Sequence, residues 1–200
     1  MKLNKNLASI FSRLTPLQLY ICTSALTFLL IFTQNRRRFL DPFIWAEDGT
    51  QFLNDFLLSG WKSLFFPYAG YYHVVPRFFV SLLFSVSIDY FPHLILITSM
   101  TIYSLVSGLF CSENFNQLVP SKLTRFCICL SFSYLPGLLE IIGNMANLHS
   151  VLYFAAFLLC LKNLDYRYSY LEISFFLLAS LSAGEMIVLV PVLGLRCLLI

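Results

Sequence analysis

Long apolar runs recur along this chain, and they limit its fold more than any other feature. A helix needs about 20 residues to cross the hydrocarbon core of a bilayer. Hydrophobic residues make up 58% of the 200-residue chain and charged residues only 12%, more apolar surface than a soluble domain of this length can bury. The sequence therefore predicts an all-α, polytopic transmembrane helical bundle, a single membrane domain over residues 1–200. The predicted spans, about seven in number, cover residues 17–33, 74–90, 93–110, 123–139, 150–161, 170–183 and 185–200.

The distribution of charge indicates a lipid environment. Net charge is only +3, and the basic cluster of the sequence, Arg36–Arg38, directly follows the first run. Arginines at the end of a membrane helix are typical of topology anchors and of lipid headgroup contacts. Because the sequence has no extended basic face for a phosphate backbone, we expect membrane lipid and no nucleic acid among the partners.

The six cysteines fall mostly within apolar runs. Cys127 and Cys129 are separated by one residue, which is not the spacing of a zinc knuckle, and no histidine lies near them in sequence. This pattern predicts inert buried thiols and no disulfide framework.

The two ends of the chain are also informative. The N-terminus lacks a small-residue cleavage site after a short apolar core, so the first run is predicted to be a membrane helix rather than a cleaved signal peptide. The last run is still apolar at Ile200. We interpret the chain as the N-terminal part of a longer protein.

Residues 34–73 form the long polar loop between the first two runs, and long loops on a membrane scaffold are usually functional. Helical spacing over residues 48–59 predicts an amphipathic helix that lies on the membrane surface and ends at Gly60. Its predicted apolar stripe is Phe52, Leu53, Phe56 and Leu57, and its predicted polar face is Asp48, Gln51 and Asp55.

The side of the membrane that holds this loop follows from the basic residues. With alternating spans, residues 34–73 share a side with the loops 111–122 and 162–169, and that side carries most of the lysines and arginines. The positive-inside rule then places the loop in the cytoplasm. A re-entrant segment near residues 135–149 would reverse this placement.

Two adjacent acids, Glu47 and Asp48, are the sharpest candidates for chemistry. Acids at a membrane surface can coordinate a divalent cation that bridges phosphates. One of them can also act as a general base on an incoming hydroxyl. Alternatively, Asp48 caps the surface helix and Glu47 interacts with the positive end of its dipole. The sequence does not identify a cofactor. If there is one, a divalent cation is the group that these acids would hold.

Aromatic and basic side chains follow at the end of the loop. Tyr68 and Tyr71 are typical of an interfacial belt, and they also fit a platform for a sugar. His73 and Arg77 lie four residues apart and share one face if a helix begins there. The Arg77 guanidinium is suited to a lipid phosphate, either in a substrate or in a headgroup.

Residues 140–149 contain several polar side chains between two apolar runs, among them Glu140, Asn147 and His149. Polar residues near membrane depth are costly and favour a functional role. A turn with capping asparagines is the structural alternative. Glu185 is interpreted as a turn residue at the membrane interface.

These motifs resemble a family of bacterial multipass proteins in the GT-C glycosyltransferase superfamily. The resemblance covers about residues 41–161 and rests on seven short stretches. They are Trp45–Gly49, Gly60–Phe65, Pro67–Tyr71, His73, Pro76–Arg77, Gly143–Asn144 and Asn147–His149.

The resemblance implies a multi-pass protein of the bacterial inner membrane that acts in polysaccharide biosynthesis. Such enzymes transfer a sugar from a polyprenyl-phosphate donor to a glycan or lipid acceptor on the outer face. It also implies roles for individual residues. Asp48 would be the base or a metal contact with Glu47 as its partner, His73 and Arg77 would contact the donor phosphate, Tyr68 and Tyr71 would line the sugar site, and Asn147 and His149 would bind substrate.

Two alternatives stay open at this point. A transporter or flippase of a lipid-linked saccharide would use the same aromatic and basic groups without chemistry, although such proteins usually contain internal repeats. An inactive N-terminal fragment is the second alternative.

Overall fold

The computed structural model describes residues 11, 13–163 and 166–199, and within them the chain is helical without a β-strand. The predicted all-α class is therefore confirmed. Ten α-helices are described: α1 Pro16–Gln34, α2 Arg36–Leu40, α3 Asn54–Ser59, α4 Val74–Val86, α5 Phe91–Gly108, α6 Lys122–Ser131, α7 Leu138–Ile141, α8 Leu148–Cys160, α9 Tyr170–Ser180 and α10 Val190–Leu199. Short 3₁₀ or π turns connect them: Glu47–Leu53 (π), Gly60–Phe65, Leu109–Cys111, Glu113–Phe115, Phe132–Tyr134 and Gly184–Leu189.

Two of these helical stretches are long and apolar enough to cross a membrane: α1 with 19 residues, and α5 with its 3₁₀ extension to Cys111, 21 residues in all. Each of the other predicted spans also contains a helix, but those helices have only 10 to 13 residues. A bundle of seven spans is therefore not confirmed.

Local sequence explains why one predicted span is divided. The run 123–139 begins as α6, but the helix ends at Ser131 and passes into a 3₁₀ turn. Pro136 lacks the N–H that a continuing helix would need, and Gly137 has φ +82°, outside the helical region. The chain therefore turns here and starts the short α7 instead of completing a span.

The core is built around α5, which packs against α1 and against α8. Gly108 permits the close approach of α1 to α5, because a Cβ at this position would lie 2.2 Å from Ser24 Oγ and 3.2 Å from the Tyr20 ring. Apolar side chains of α5 and α8, including Ile95 and Val151, are buried in the same cluster. This packing holds the start of α8 against the rest of the bundle.

Residues 34–73 pack on the bundle rather than forming an open loop. The predicted helix forms as a π turn over Glu47–Leu53 followed by α3, and it ends at Gly60 (φ +60°) as predicted. The predicted faces hold for Phe52, which is buried, but they are wrong for Asp48 and Leu57. Asp48, assigned to the polar face, is buried together with Phe52, whereas Leu57 of the apolar stripe is exposed. The i→i+5 pattern of a π turn widens the helix, so the 3.6-residue spacing used for the prediction does not hold.

Candidate functional site

Four of the predicted substrate-binding side chains lie together: Tyr68, Tyr71, His73 and His149, here called the ring cluster. Tyr71 and His73 stack with ring centroids 4.0 Å apart. The His149 ring meets His73 edge-on at 5.6 Å and Tyr71 at 6.0 Å. Tyr68 packs against His73 at 5.6 Å. The structure therefore joins the end of the 34–73 segment to the start of α8.

The backbone before α4 explains how three of these rings converge. Tyr68 and Tyr71 exchange backbone hydrogen bonds of 2.8 and 3.2 Å across a tight turn. Ala69 and Gly70 adopt positive φ within that turn, and His73 follows with φ +54°. A left-handed conformation is unusual for a histidine and marks a constrained position. It directs the chain into α4 immediately after the ring stack.

His149 forms an ion-pair contact with Glu185, the acid that the sequence interpretation assigned to a turn. His149 Nε2 lies 3.3 Å from Glu185 Oε1, and the two side chains are 16% and 47% exposed. His149 Nδ1 lies 2.6 Å from the carbonyl oxygen of Ala146. A carbonyl only accepts, so Nδ1 carries a hydrogen. In the neutral ring Nε2 therefore has no hydrogen. The contact between Nε2 and Glu185 becomes a hydrogen bond only when a further proton lies between the ring and the carboxyl group.

Tyr71 connects this acid to the ring cluster. A Cβ at Gly184 would lie 3.2 Å from the Tyr71 ring, so the ring rests directly on the backbone before Glu185. Burial raises the pKa of Tyr71, and the nearby charge of Glu185 raises it further. Tyr71, His149 and Glu185 therefore form one partly exposed acid–base site beside an aromatic face. The position of Glu185 between two apolar runs was the sequence signal for it.

His73 lies deeper than the other rings and contributes a neutral face. Burial lowers the pKa of its imidazole to about 4, and the charges of His149 and Arg77 act in the same direction. The ring is therefore uncharged near pH 7. This favours stacking over the predicted contact of His73 with a donor phosphate, which stays a prediction.

Arg77 is bound to the 34–73 segment. Its Nη1 lies 2.8 Å from Asp55 Oδ2, and its guanidinium lies 4.5 Å from the centre of the Phe52 ring. Gln51 donates to the same carboxylate oxygen at 2.8 Å. Arg77 is only 1% exposed, so the predicted contact with a lipid phosphate would require this pair to open.

Asp48 is fully buried and ties the 34–73 segment to the chain just before α8. Its Oδ2 accepts from the Met145 N–H at 2.7 Å, and its Oδ1 accepts from the Ala146 N–H at 2.8 Å. As a helix cap, Asp48 was expected to accept from backbone N–H groups at the start of its own helix. It does accept from backbone N–H groups, but they belong to a distant segment of the chain. The carbonyl of Ala146, in the next peptide group, accepts from His149 Nδ1, so Asp48 binds the same residue whose carbonyl orients the histidine.

The remaining predicted residues lie around this connection. Glu47 is half-buried beside Asp48. Asn147 lies at the start of α8 but makes no side-chain cap hydrogen bond there; its side chain donates to the Glu140 carbonyl at 3.0 Å. Among the described residues, no group of three or more His, Cys, Asp or Glu could hold a metal ion. The roles of Asp48 and Glu47 as base and metal contact stay predictions.

Asp48 is expected to make stability depend on pH. The pKa of its carboxyl is raised from 3.8 to about 7, mainly by burial and to a smaller extent by the charge of Glu47. The two amide hydrogen bonds act in the opposite direction and lower this pKa. Between about pH 4 and 7 the unfolded chain loses this proton while the folded chain keeps it. The Asp48 contribution to the unfolding free energy should fall by about 4 kcal/mol as pH rises across this range.

The measurement compares the parent protein with Asp48→Asn by denaturant unfolding in detergent at several pH values. The two proteins are compared through the difference between their unfolding free energies, because His73 is present in both. With its lowered pKa, His73 changes stability in the opposite direction over much of the same pH range. The difference between the two proteins should change by about 4 kcal/mol from about pH 4 to 7. A difference that stays constant with pH would contradict the prediction.

No protein-family model, curated protein sequence or solved structure matches this chain. We therefore infer its function from its own side chains and their contacts.

Proposed function

We propose that this chain is a membrane-embedded glycosyltransferase that moves a sugar from a polyprenyl-phosphate donor to a glycan or lipid acceptor. The observation that carries the proposal is the His149–Glu185 contact beside the Tyr71 ring. It combines an accessible carboxylate, a partner that orients it and a flat aromatic surface. Such a combination suits transfer of a sugar to a hydroxyl group.

A membrane location is supported by the surface of the two long helices, and the bacterial inner membrane is proposed from the motif resemblance alone. Both α1 and the stretch Phe91–Cys111 satisfy the length and composition of a span. Large apolar side chains are exposed along them, including Leu17, Leu29 and Leu105. Lipid would cover these side chains, whereas in water they would form an unfavourable surface.

Glu185 is assigned the role of general base. The acceptor hydroxyl attacks C1 of the sugar while its proton passes to the Glu185 carboxylate. The bond from C1 to the phosphate oxygen breaks, and the polyprenyl phosphate leaves with the bonding electrons. When Nε2 of His149 carries a proton, it donates to the carboxylate and holds it, while the Ala146 carbonyl sets the orientation of the imidazole ring.

Tyr71 is assigned the sugar-facing surface. Aromatic rings expose a flat apolar face, on which the C–H surface of a sugar can stack. One face of the Tyr71 ring is occupied by its stacking contact with His73. The neutral His73 ring therefore supports the platform from behind, and Tyr68 packs against His73 in turn.

The proposal is tested with the purified full chain in proteoliposomes. The two probes are undecaprenyl-phosphate glucose and undecaprenyl-phosphate mannose, each labelled in the sugar, with an extract of bacterial lipid-linked glycans as acceptor. We expect label to move from one donor to the acceptor in proportion to protein and time. Movement of intact donor across the bilayer without transfer would favour a flippase, and inactivity towards both donors would contradict the proposal.

A further inference from the structure

Two buried thiols from different helices lie side by side, away from the proposed site. Cys111 ends the 3₁₀ extension of α5, and Cys129 lies in the last turns of α6. Their Sγ atoms are 3.4 Å apart, and both side chains are fully buried. We propose that Cys111 and Cys129 are a dithiol pair that is oxidised to a disulfide linking α5 to α6.

A chain of hydrogen bonds orients the two thiols. Thr23 Oγ1 donates to the Leu19 carbonyl at 2.6 Å, so its oxygen is left to accept from the Cys111 thiol, whose Sγ lies 3.3 Å away. The Cys111 sulfur is then the acceptor for the Cys129 thiol. Both sulfurs are therefore held in contact by α1, which packs across the ends of the other two helices.

Two of the other described cysteines are exposed instead of buried. Cys127 lies two residues from Cys129 on the same helix, but it is exposed, and so is Cys22 on α1. The expectation of inert buried thiols was therefore wrong for these two. Helix geometry directs alternate residues to different sides, so α6 presents Cys129 inward and Cys127 outward. Cys127 is a matched control, with the same chemistry on the same helix.

Arg125 adds a charge that suits thiol chemistry. It is fully buried, it lies one turn before Cys129 on α6, and its Nη2 is 3.7 Å from Glu113 Oε2. A nearby cation stabilises the thiolate, which is the form that reacts. Glu113 is also paired with Lys122, so the Arg125 charge is only partly neutralised by it.

The oxidant is a small peroxide, because fully buried thiols are closed to a protein partner. One thiolate attacks an oxygen of hydrogen peroxide, the O–O bond breaks, and the leaving hydroxide takes up the proton lost by that thiol, which gives a sulfenic acid and water. The second thiolate attacks the sulfenic sulfur, the S–S bond forms as the S–O bond breaks, and the leaving hydroxide takes up the second thiol proton to give water. In total, two thiols lose two protons and two electrons to one peroxide, which yields two waters.

The test uses the full chain in membranes or detergent, treated with hydrogen peroxide, blocked with an alkylating reagent after denaturation and digested without reduction. We expect mass spectrometry to detect a peptide joining Cys111 to Cys129. We also expect the alkylation of both thiols to fall at least tenfold relative to untreated protein. The link should persist in Cys127→Ser and Cys22→Ser, and Cys111→Ser should leave Cys129 without a crosslink.

Three results would overturn the proposal. Full alkylation of Cys111 and Cys129 after treatment, while the exposed Cys127 is oxidised in the same sample, would show that the pair is inert. A Cys127–Cys129 link would show that the sequence neighbours react instead. Sulfinic or sulfonic acid at Cys111 without a crosslink would show that the second thiol does not reach the first.

Discussion

Replacing Glu185 by glutamine is expected to lower the rate of sugar transfer by about 10²–10⁴-fold, the range that a positioned general base contributes. Glutamine keeps the size of the side chain and a hydrogen-bonding oxygen toward His149, but it cannot take up a proton. Because Glu185 is 47% exposed, the substitution should leave the fold intact. The measurement is label transfer in proteoliposomes, together with denaturant unfolding of the same preparations.

Glu140→Gln is the matched control, because Glu140 is an exposed acid on α7, close in sequence to the chain that precedes α8. Its transfer rate should stay at the parent level. His149→Gln should also slow transfer and shift the pH profile of the rate, since Glu185 would lose its partner. Parent-level transfer by a folded Glu185→Gln variant would contradict the assigned role of base.

Replacing Asp48 by alanine is expected to reduce the unfolding free energy by about 2–6 kcal/mol. The Met145 and Ala146 amides would lose their acceptors in a buried place, and each unsatisfied donor costs about 1–3 kcal/mol. The effect should be largest near pH 5, where the carboxyl of the folded parent is protonated and its burial is least costly. Denaturant unfolding followed by tryptophan fluorescence measures it, because both tryptophans, Trp45 and Trp61, lie in the 34–73 segment.

Asp41→Ala provides the control for this experiment, since Asp41 is an exposed acid in the same 34–73 segment. It should unfold within about 0.5 kcal/mol of the parent. A loss below about 1 kcal/mol in Asp48→Ala would contradict the anchoring role. The same variants also test the sequence-based role of Asp48. If Asp48 is the base, the folded fraction of Asp48→Asn should be inactive, whereas an anchor predicts transfer by that folded fraction.

In the 34–73 segment, residue spacing predicted the helix but not the way in which it packs. Spacing predicted a helix here and Gly60 as its end, and both are present. Spacing could not predict the π turn, because its i→i+5 hydrogen bonds are selected by packing rather than by local propensity. Asp48 therefore faces the bundle, where it meets a segment 97 and 98 residues further along the chain.

The candidate site shows the same division. Motif resemblance identified Tyr68, Tyr71, His73 and His149, and the structure brings these rings together. Glu185 was interpreted as a turn residue, because its partner lies on another helix. A local pattern does not contain that pairing, which depends on how the turn Gly184–Leu189 packs beside the start of α8.

By itself the sequence determined the helical class, the regions of the chain that become helices and the residues that end several of them. These follow from apolar composition, proline and glycine, which act within a few residues of the chain. The tertiary structure alone decided the lengths of the shorter helices, the buried position of Asp48 and the contacts of Glu185 and of Cys111 with their partners. Each of these depends on contacts between distant segments, whose geometry arises only when the helices pack.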